Sequence, residues 1–206
     1  MELELARLPA HETYKILIGL VIPRPIAWVS TWSENGVANC APFSFFNVIS
    51  EDPPLCILSF NWRSDGELKH TLKNIRRTGE FVVNLADEGT ANAMHLSGTE
   101  LPEAESEFTK YGLTTAPAKL VKHPRIAEAA ASLECRVERR INFGPEREMV
   151  VGEILWIHAR DGIIDPVTKR ISEELYRPVG RLFANRYCTT RQRFDLPGTL
   201  PPGKTL

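Results

Sequence analysis

The spacing of apolar residues changes once, early in the chain. Between His11 and Leu20, Ile16, Leu17 and Leu20 recur as on one face of a short helix. From Ile26 onward strand patterns dominate. Ile26–Trp32 and Val37–Val48 flank the turn Ser33-Glu34-Asn35-Gly36, where Asn-Gly supplies the positive φ angles of a tight hairpin. Pro53-Pro54 leads into a short apolar strand, Leu55–Phe60. A helix is predicted over Glu67–Arg77, ending before Gly79, and a strand over Phe81–Leu85. Small, charged and helix-prone residues between Glu88 and Tyr111 suggest two helices. Leu133–Asn142 alternates as a strand with one solvent face, and Phe143-Gly144-Pro145 turns it into a second long strand, Met149–Ala159. A mixed segment then reaches Val179–Tyr187 and a tail rich in proline and glycine.

Strands outnumber helices and do not alternate with them one for one, which argues against a doubly wound parallel sheet. Pattern alone supports a β-barrel or an α+β sandwich. No repeat, low-complexity tract or linker divides the 206 residues, so residues 1–206 are expected to form one domain.

A net charge of −1 leaves no electrostatic footprint for nucleic acid. Arg136, Arg139 and Arg140 alternate with Glu134 and Glu138, which reads as a solvated strand face. The N-terminus lacks the basic and apolar regions of a secretory signal, and Ile16–Val29 is broken by Pro23-Arg24-Pro25, too short and too charged to span a bilayer. Cys40, Cys56, Cys135 and Cys188 are scattered without a CxxC pair, as reduced core thiols would be. A cytoplasmic protein without membrane partners is the expectation.

No GxG occurs anywhere, so neither a dinucleotide fingerprint nor a phosphate-binding P-loop is available. GxSxG and HExxH are also missing, and the five histidines lack metal-ligand spacing. What remains is polar but not acid–base in character. Ser30, Thr31, Asn39 and Ser44 sit among apolar residues on the hairpin arms, where alternation puts Asn39, Ala41 and Phe43 on one face and Cys40, Pro42 and Ser44 on the other. Pro42 is expected to interrupt that alternation and turn nearby backbone amides toward a ligand. Pro25 restricts Arg24 to an extended backbone, so an arginine there loses little entropy on meeting an anion. Lys69, His70 and Thr71 stand at the start of a helix, whose free N–H groups and dipole favour phosphate. Charge-assisted hydrogen bonds of that kind contribute roughly 1.5–3 kcal/mol each. Each feature also has an ordinary structural reading, as strand-end capping, a strand-flanking arginine or helix-surface polarity.

The run Pro23-Arg24-Pro25-Ile26-Ala27-Trp28-Val29-Ser30-Thr31, with Gly36, Asn39, Ala41-Pro42-Phe43-Ser44-Phe45-Phe46-Asn47 and Asp52-Pro53-Pro54, resembles the flavin reductase-like family. Lys69-His70-Thr71-Leu72-Lys73-Asn74-Ile75, Glu80–Leu85 and Arg177-Pro178-Val179-Gly180-Arg181-Leu182 leading to Tyr187 extend the likeness over almost the whole chain. His70 stands where the family motif carries aspartate. The resemblance implies a mainly β fold, an FMN-binding split β-barrel of Greek-key-like form with peripheral helices. It implies FMN as cofactor, NADH or NADPH as transient co-substrate, and a homodimer with flavin at or near the interface. The implied site comprises Arg24, Ser30, Thr31, Asn39, Ala41, Pro42, Phe43, Ser44, Lys69, Thr71, Arg181 and Tyr187, with no catalytic side chain and no metal. Of the four tryptophans, only Trp32 or Trp62 is placed near a flavin. The implied activity is NAD(P)H-dependent flavin reduction supplying a monooxygenase or another acceptor. The alternatives are a flavoredoxin-like electron carrier and a flavin-binding barrel without turnover.

Overall fold

The computed structural model describes residues 1–196. The helices are α1 (Ala10–Leu20), α2 (His70–Thr78), α3 (Ala91–Leu96) and α4 (Glu107–Tyr111). The main strands are β1 (Ala27–Trp32), β2 (Ala38–Phe43), β3 (Phe46–Glu51), β4 (Pro54–Asn61), β5 (Glu80–Leu85), β8 (Ala131–Asn142) and β9 (Arg147–Ala159). Two-residue strands β6 (Thr115–Ala116) and β7 (Arg125–Ile126) pair with each other, as do β10 (Val179–Arg181) and β11 (Tyr187–Thr189).

The seven main strands form one antiparallel sheet in the order β2-β1-β5-β8-β9-β4-β3. Its edges, β2 and β3, are joined only by Ser44 and Phe45. Laid flat, those edges would lie about 29 Å apart at about 4.8 Å per strand, whereas three backbone steps reach only about 10 Å. The sheet therefore curls until its edges meet. The Ser59 N–H donates to the Phe45 carbonyl at 2.9 Å, and the Phe43 and Phe60 rings pack edge to face at 4.6 Å. β2 and β3 do not pair with each other, so the barrel is split along this seam.

The predicted strand over Val37–Val48 is thus two strands on opposite edges. Pro42 cannot donate to a ladder, and the chain leaves one edge at Ser44 to begin the other. The hairpin before it forms as expected, but of the Asn-Gly pair Gly36 alone takes a positive φ, 74°; Ser33 Oγ accepts the Val37 N–H at 3.0 Å and closes the loop. α2 starts three residues later than predicted. Gly66 at φ 85° and the Asp65 side chain, accepting the Glu67 N–H at 3.0 Å, fold Asp65–Glu67 into a turn instead. At its other end Gly79 takes the left-handed cap, φ 69°.

β1 is buried on both faces. Ala27 and Val29 enter the barrel interior with Phe43, Phe46, Leu58, Phe60, Leu72, Ile75, Phe81 and Val150. Ile26 and Trp28 enter an outer cluster with Cys40, Met94, Phe108 and Ile126. Cys40, Cys56 and Cys135 are buried free thiols, as core cysteines should be. Inside the barrel Gly152 is required by close approach: a Cβ there would lie 2.5 Å from Phe81 Cζ.

The solvated-face reading of β8 needs one correction. Glu134 is fully buried, its carboxylate accepting the backbone N–H groups of Lys119, Leu120 and Val121 at 2.6–3.0 Å and standing 2.5 Å from His158 Nε2. It anchors the loop before β7 against the sheet. No helix among the described residues is long and apolar enough to cross a membrane.

Candidate functional site

The edge that closes the barrel also opens a cleft. Its volume is about 850 Å³, within the range of cofactor sites. The floor is the seam itself, Ala41-Pro42-Phe43-Ser44-Phe45, with Ser59 and Asn61 of β4. α3 supplies Met94 and His95, the β10–β11 hairpin supplies Arg181 and Tyr187, and α1 covers one side through His11, Tyr14 and Ile18. Lys69 lies on its wall and also on that of a small neighbouring recess, which adds Asn39, Thr71, Arg63, Glu100 and Glu107.

The predicted residues divide into three groups. Arg24, Ala41, Pro42, Phe43, Ser44, Lys69, Arg181 and Tyr187 line the cleft, and Asn39 and Thr71 line the recess. Ser30 and Thr31 line neither. Both are fully buried: Ser30 donates to the Pro124 carbonyl at 2.5 Å, and Thr31 accepts from Asn74 Nδ2 at 3.0 Å. They join sheet, loop and α2. Trp32 and Trp62 are also outside the cleft lining.

Arg24 is a structural rivet as well as a wall residue. Its guanidinium donates to the carbonyls of Ile18 (2.6 Å), Val21 (2.9 Å) and Leu182 (2.6 Å), and to Ser44 Oγ at 3.4 Å. Its extended backbone exchanges both hydrogen bonds with Arg181 at 2.9 Å. One side chain thus ties the end of α1, the barrel seam and the β10–β11 hairpin together. Burial, with some help from Arg181, lowers its pKa, but an arginine stays charged.

At the recess, Lys69 is the last extended residue before α2, and Thr71 is buried with its Oγ accepting from Asn39 Nδ2 at 3.0 Å. Glu107 is buried, which raises its pKa, and accepts the Cys40 N–H at 3.1 Å. Ser106 donates to the Ala38 carbonyl at 2.5 Å, so α4 covers the free edge of β2. At the opposite wall Arg181 donates to the Tyr187 hydroxyl and stacks over its ring, 4.7 Å from the centroid. Tyr187 Oη also lies 2.9 Å from His95 Nδ1.

His95, Met94, Ser59, Asn61 and Arg147 line the cleft without having been singled out in the sequence. His95 and Tyr187 are 92 residues apart, and no local pattern marks either as the other's partner.

The donor set suits FMN. Lys69, the α2 N-terminus and Thr71 are the groups that could hold a phosphate, and Pro42, Phe43, Ile26 and Met94 are apolar wall residues that could support a flat ring. Gly98, shared by cleft and recess, keeps the wall open: a Cβ there would meet the His95 carbonyl at 3.2 Å and Pro42 Cγ at 3.4 Å.

Residues 19–173 match the family model described as the flavin reductase like domain. An uncharacterized protein of Aquifex aeolicus is 42% identical over 91% of this chain and 94% of its own length. Among solved structures, the Pseudomonas fluorescens 2-nitrobenzoate 2-nitroreductase superposes with TM-score 0.89 at 35% identity, covering 99% of this chain and 100% of that one. Nitrilotriacetate monooxygenase component B of Bacillus cereus gives TM-score 0.89 at 31% identity, over 95% and 98%. The fold is the split barrel of these flavoproteins, and the chain belongs to the flavin reductase-like family.

Proposed function

We propose that this protein is an NAD(P)H-dependent flavin reductase, binding FMN in the seam cleft and supplying reduced flavin to a monooxygenase or another acceptor. The observation that carries the reading is the cleft itself, with hydrogen-bond donors at the start of α2, Lys69–Thr71, and an apolar, backbone-rich floor at Ala41–Phe45. FMN supplies two-electron chemistry when bound, so the chain's own residues need only hold and orient. Lys69, Asn39 and Thr71 hold the phosphate, Ala41 to Ser44 support the ring, and Arg24 fixes the walls. Tyr187 and His95 face the ligand from the hairpin and α3. The monooxygenase component at 31% identity supports a partner that uses reduced flavin. The nitroreductase at 35% identity supports a second reading, an organic acceptor reduced directly in the same cleft.

The protein is proposed to act as a cytoplasmic homodimer, each chain one flavin reductase-like unit. FMN fluorescence titration followed by anaerobic stopped-flow mixing with NADH and with NADPH tests the activity. Rapid bleaching of bound flavin by either nucleotide is the expected result. Tight FMN binding with no bleaching would favour an electron carrier of the flavoredoxin kind. No FMN binding at all would remove every flavin reading, including that of a barrel without turnover.

A further inference from the structure

The phosphate-type pole of the cleft already holds an anion from the protein. Arg63 and Lys69 are the lysine and arginine side chains lining the recess. Glu100 lies between them, with Oε1 3.5 Å from Lys69 Nζ and Oε2 3.9 Å from Arg63 Nη2. His70, also on the recess, accompanies Arg63 at 3.3 Å, and burial together with that guanidinium lowers its pKa. The next cation outward, Lys73, is occupied by Glu103 at 2.7 Å, and Arg63 also meets Asp65 at 3.1 Å. Three cations therefore face three carboxylates, and Glu107 is a fourth carboxyl group on the recess wall. The pole has the right hydrogen-bond donors for phosphate but little net positive charge.

We infer that Glu100 acts as a resident counter-anion at this pole and keeps a phosphorylated flavin exchangeable instead of tightly held. The inference rests on the reading of Lys69 and Thr71 as the phosphate site. A phosphate dianion arriving there must displace Glu100 from Lys69 and Arg63 and then remain near its charge. The first requirement offsets the gain from each new charge-assisted hydrogen bond, and the second adds repulsion that water only partly screens, because the Glu100 side chain is 38% exposed. A reductase that hands its flavin to another protein needs release as much as capture. Unliganded, the same carboxylate keeps Lys69 and Arg63 from repelling each other and ties the Ser97–Glu103 segment to the start of α2.

The test compares two ligands that share a ring. FMN and riboflavin, which lacks the phosphate, are titrated by fluorescence quenching into the wild-type protein and into Glu100→Gln, with dissociation rates measured by displacement. Glu100→Gln is expected to tighten FMN about tenfold, or about 1.4 kcal/mol, through slower dissociation, and to leave riboflavin within about twofold. Glu100→Asp, which keeps the charge on a shorter arm, should fall between the two. Equal changes for FMN and riboflavin, or weaker FMN binding in Glu100→Gln, would overturn the role of Glu100. Lys69→Ala separates this from the reading beneath it. If that variant lowers FMN affinity selectively while Glu100→Gln does not raise it, only the counter-anion role fails. If Lys69→Ala leaves the FMN-to-riboflavin ratio unchanged, the phosphate site itself is misplaced and both fall.

Discussion

Lys69 and Thr71 lie two positions apart at one helix start, yet substituting them should have different consequences. Among the described residues the Lys69 ammonium meets one carboxylate, that of Glu100, in a partly exposed ion pair, so its removal acts mainly through charge. Lys69→Ala is expected to weaken FMN at least tenfold while the urea midpoint stays unchanged. Thr71 is buried, and its Oγ is the acceptor for Asn39 Nδ2. Thr71→Ala leaves that amide unpaired and should cost about 1–3 kcal/mol of stability as well as flavin affinity. Thr71→Ser should recover most of the stability. Denaturation and FMN titration on the same samples separate the two effects. His123 makes a different residue-scale prediction. It is buried, its Nδ1 accepts the Trp32 N–H at 2.8 Å, and its Nε2 lies 2.8 Å from Thr78 Oγ1. Burial lowers its pKa to about 4. The folded protein thus resists a proton that the unfolded chain accepts near pH 6.5. Stability is complete above that value and declines as pH falls through 6.5 toward 4, by at most about 3–4 kcal/mol. The urea midpoint of wild type should drop across this window, and that of His123→Gln should be flatter.

Elements whose determinants are local were readable in the chain, and those fixed by distant partners were not. Asn35-Gly36 specifies its own hairpin, and Gly79 its own helix end, because both need a positive φ. The break between β2 and β3 comes from barrel closure, which no window around Ser44 contains. Ser30 and Thr31 looked like ligand contacts because hydroxyls on a strand beside a motif are ambiguous. Their partners, Pro124 and Asn74, are 94 and 43 residues away. The family resemblance singled out Ala41–Ser44 and Lys69, which the structure places on the cleft wall, whereas His95 and Arg147 line it without such a mark. Glu134 was the largest misreading, since alternation with arginines hides a carboxylate that faces inward. That carboxylate yields a prediction for the loop it holds. Burial alone would raise its pKa, but His158 and three backbone N–H groups outweigh burial and lower it. Glu134→Gln keeps one acceptor oxygen and sets an NH₂ group against backbone donors. It should destabilise the protein by about 2–4 kcal/mol and strip amide protection from Lys119, Leu120 and Val121 more than from β5. Hydrogen exchange resolves that difference. Uniform loss of protection across both would show that the carboxylate does not anchor the loop specifically.

On the scale of the whole molecule, α1 is a poorly covered element. None of its residues is buried, and Leu17, Leu20, Val21 and Ile22 along its end are exposed by 40% or more. The same helix also lines the cleft, through Tyr14 and Ile18. Val48 and Ile49 on the edge strand β3 expose further apolar surface, and Tyr14 packs near Phe45 at the barrel seam, 6.3 Å between centroids. An 11-residue helix is marginal in water without a packed face, and Arg24 clamps only its last turn. A second copy covering this surface would stabilise α1 and hold one wall of the seam cleft in place, linking assembly to the proposed flavin binding. Light scattering should give twice the 23.2 kDa chain mass. Leu17→Glu with Leu20→Glu should shift the protein toward single chains without unfolding the barrel, because neither side chain contributes to the core. The same variant should bind FMN several-fold more weakly, and added FMN should favour the dimer, since binding and assembly are thermodynamically reciprocal. A single-chain variant with unchanged FMN affinity would show that the cleft is complete in one copy, with α1 held in place by Arg24 alone.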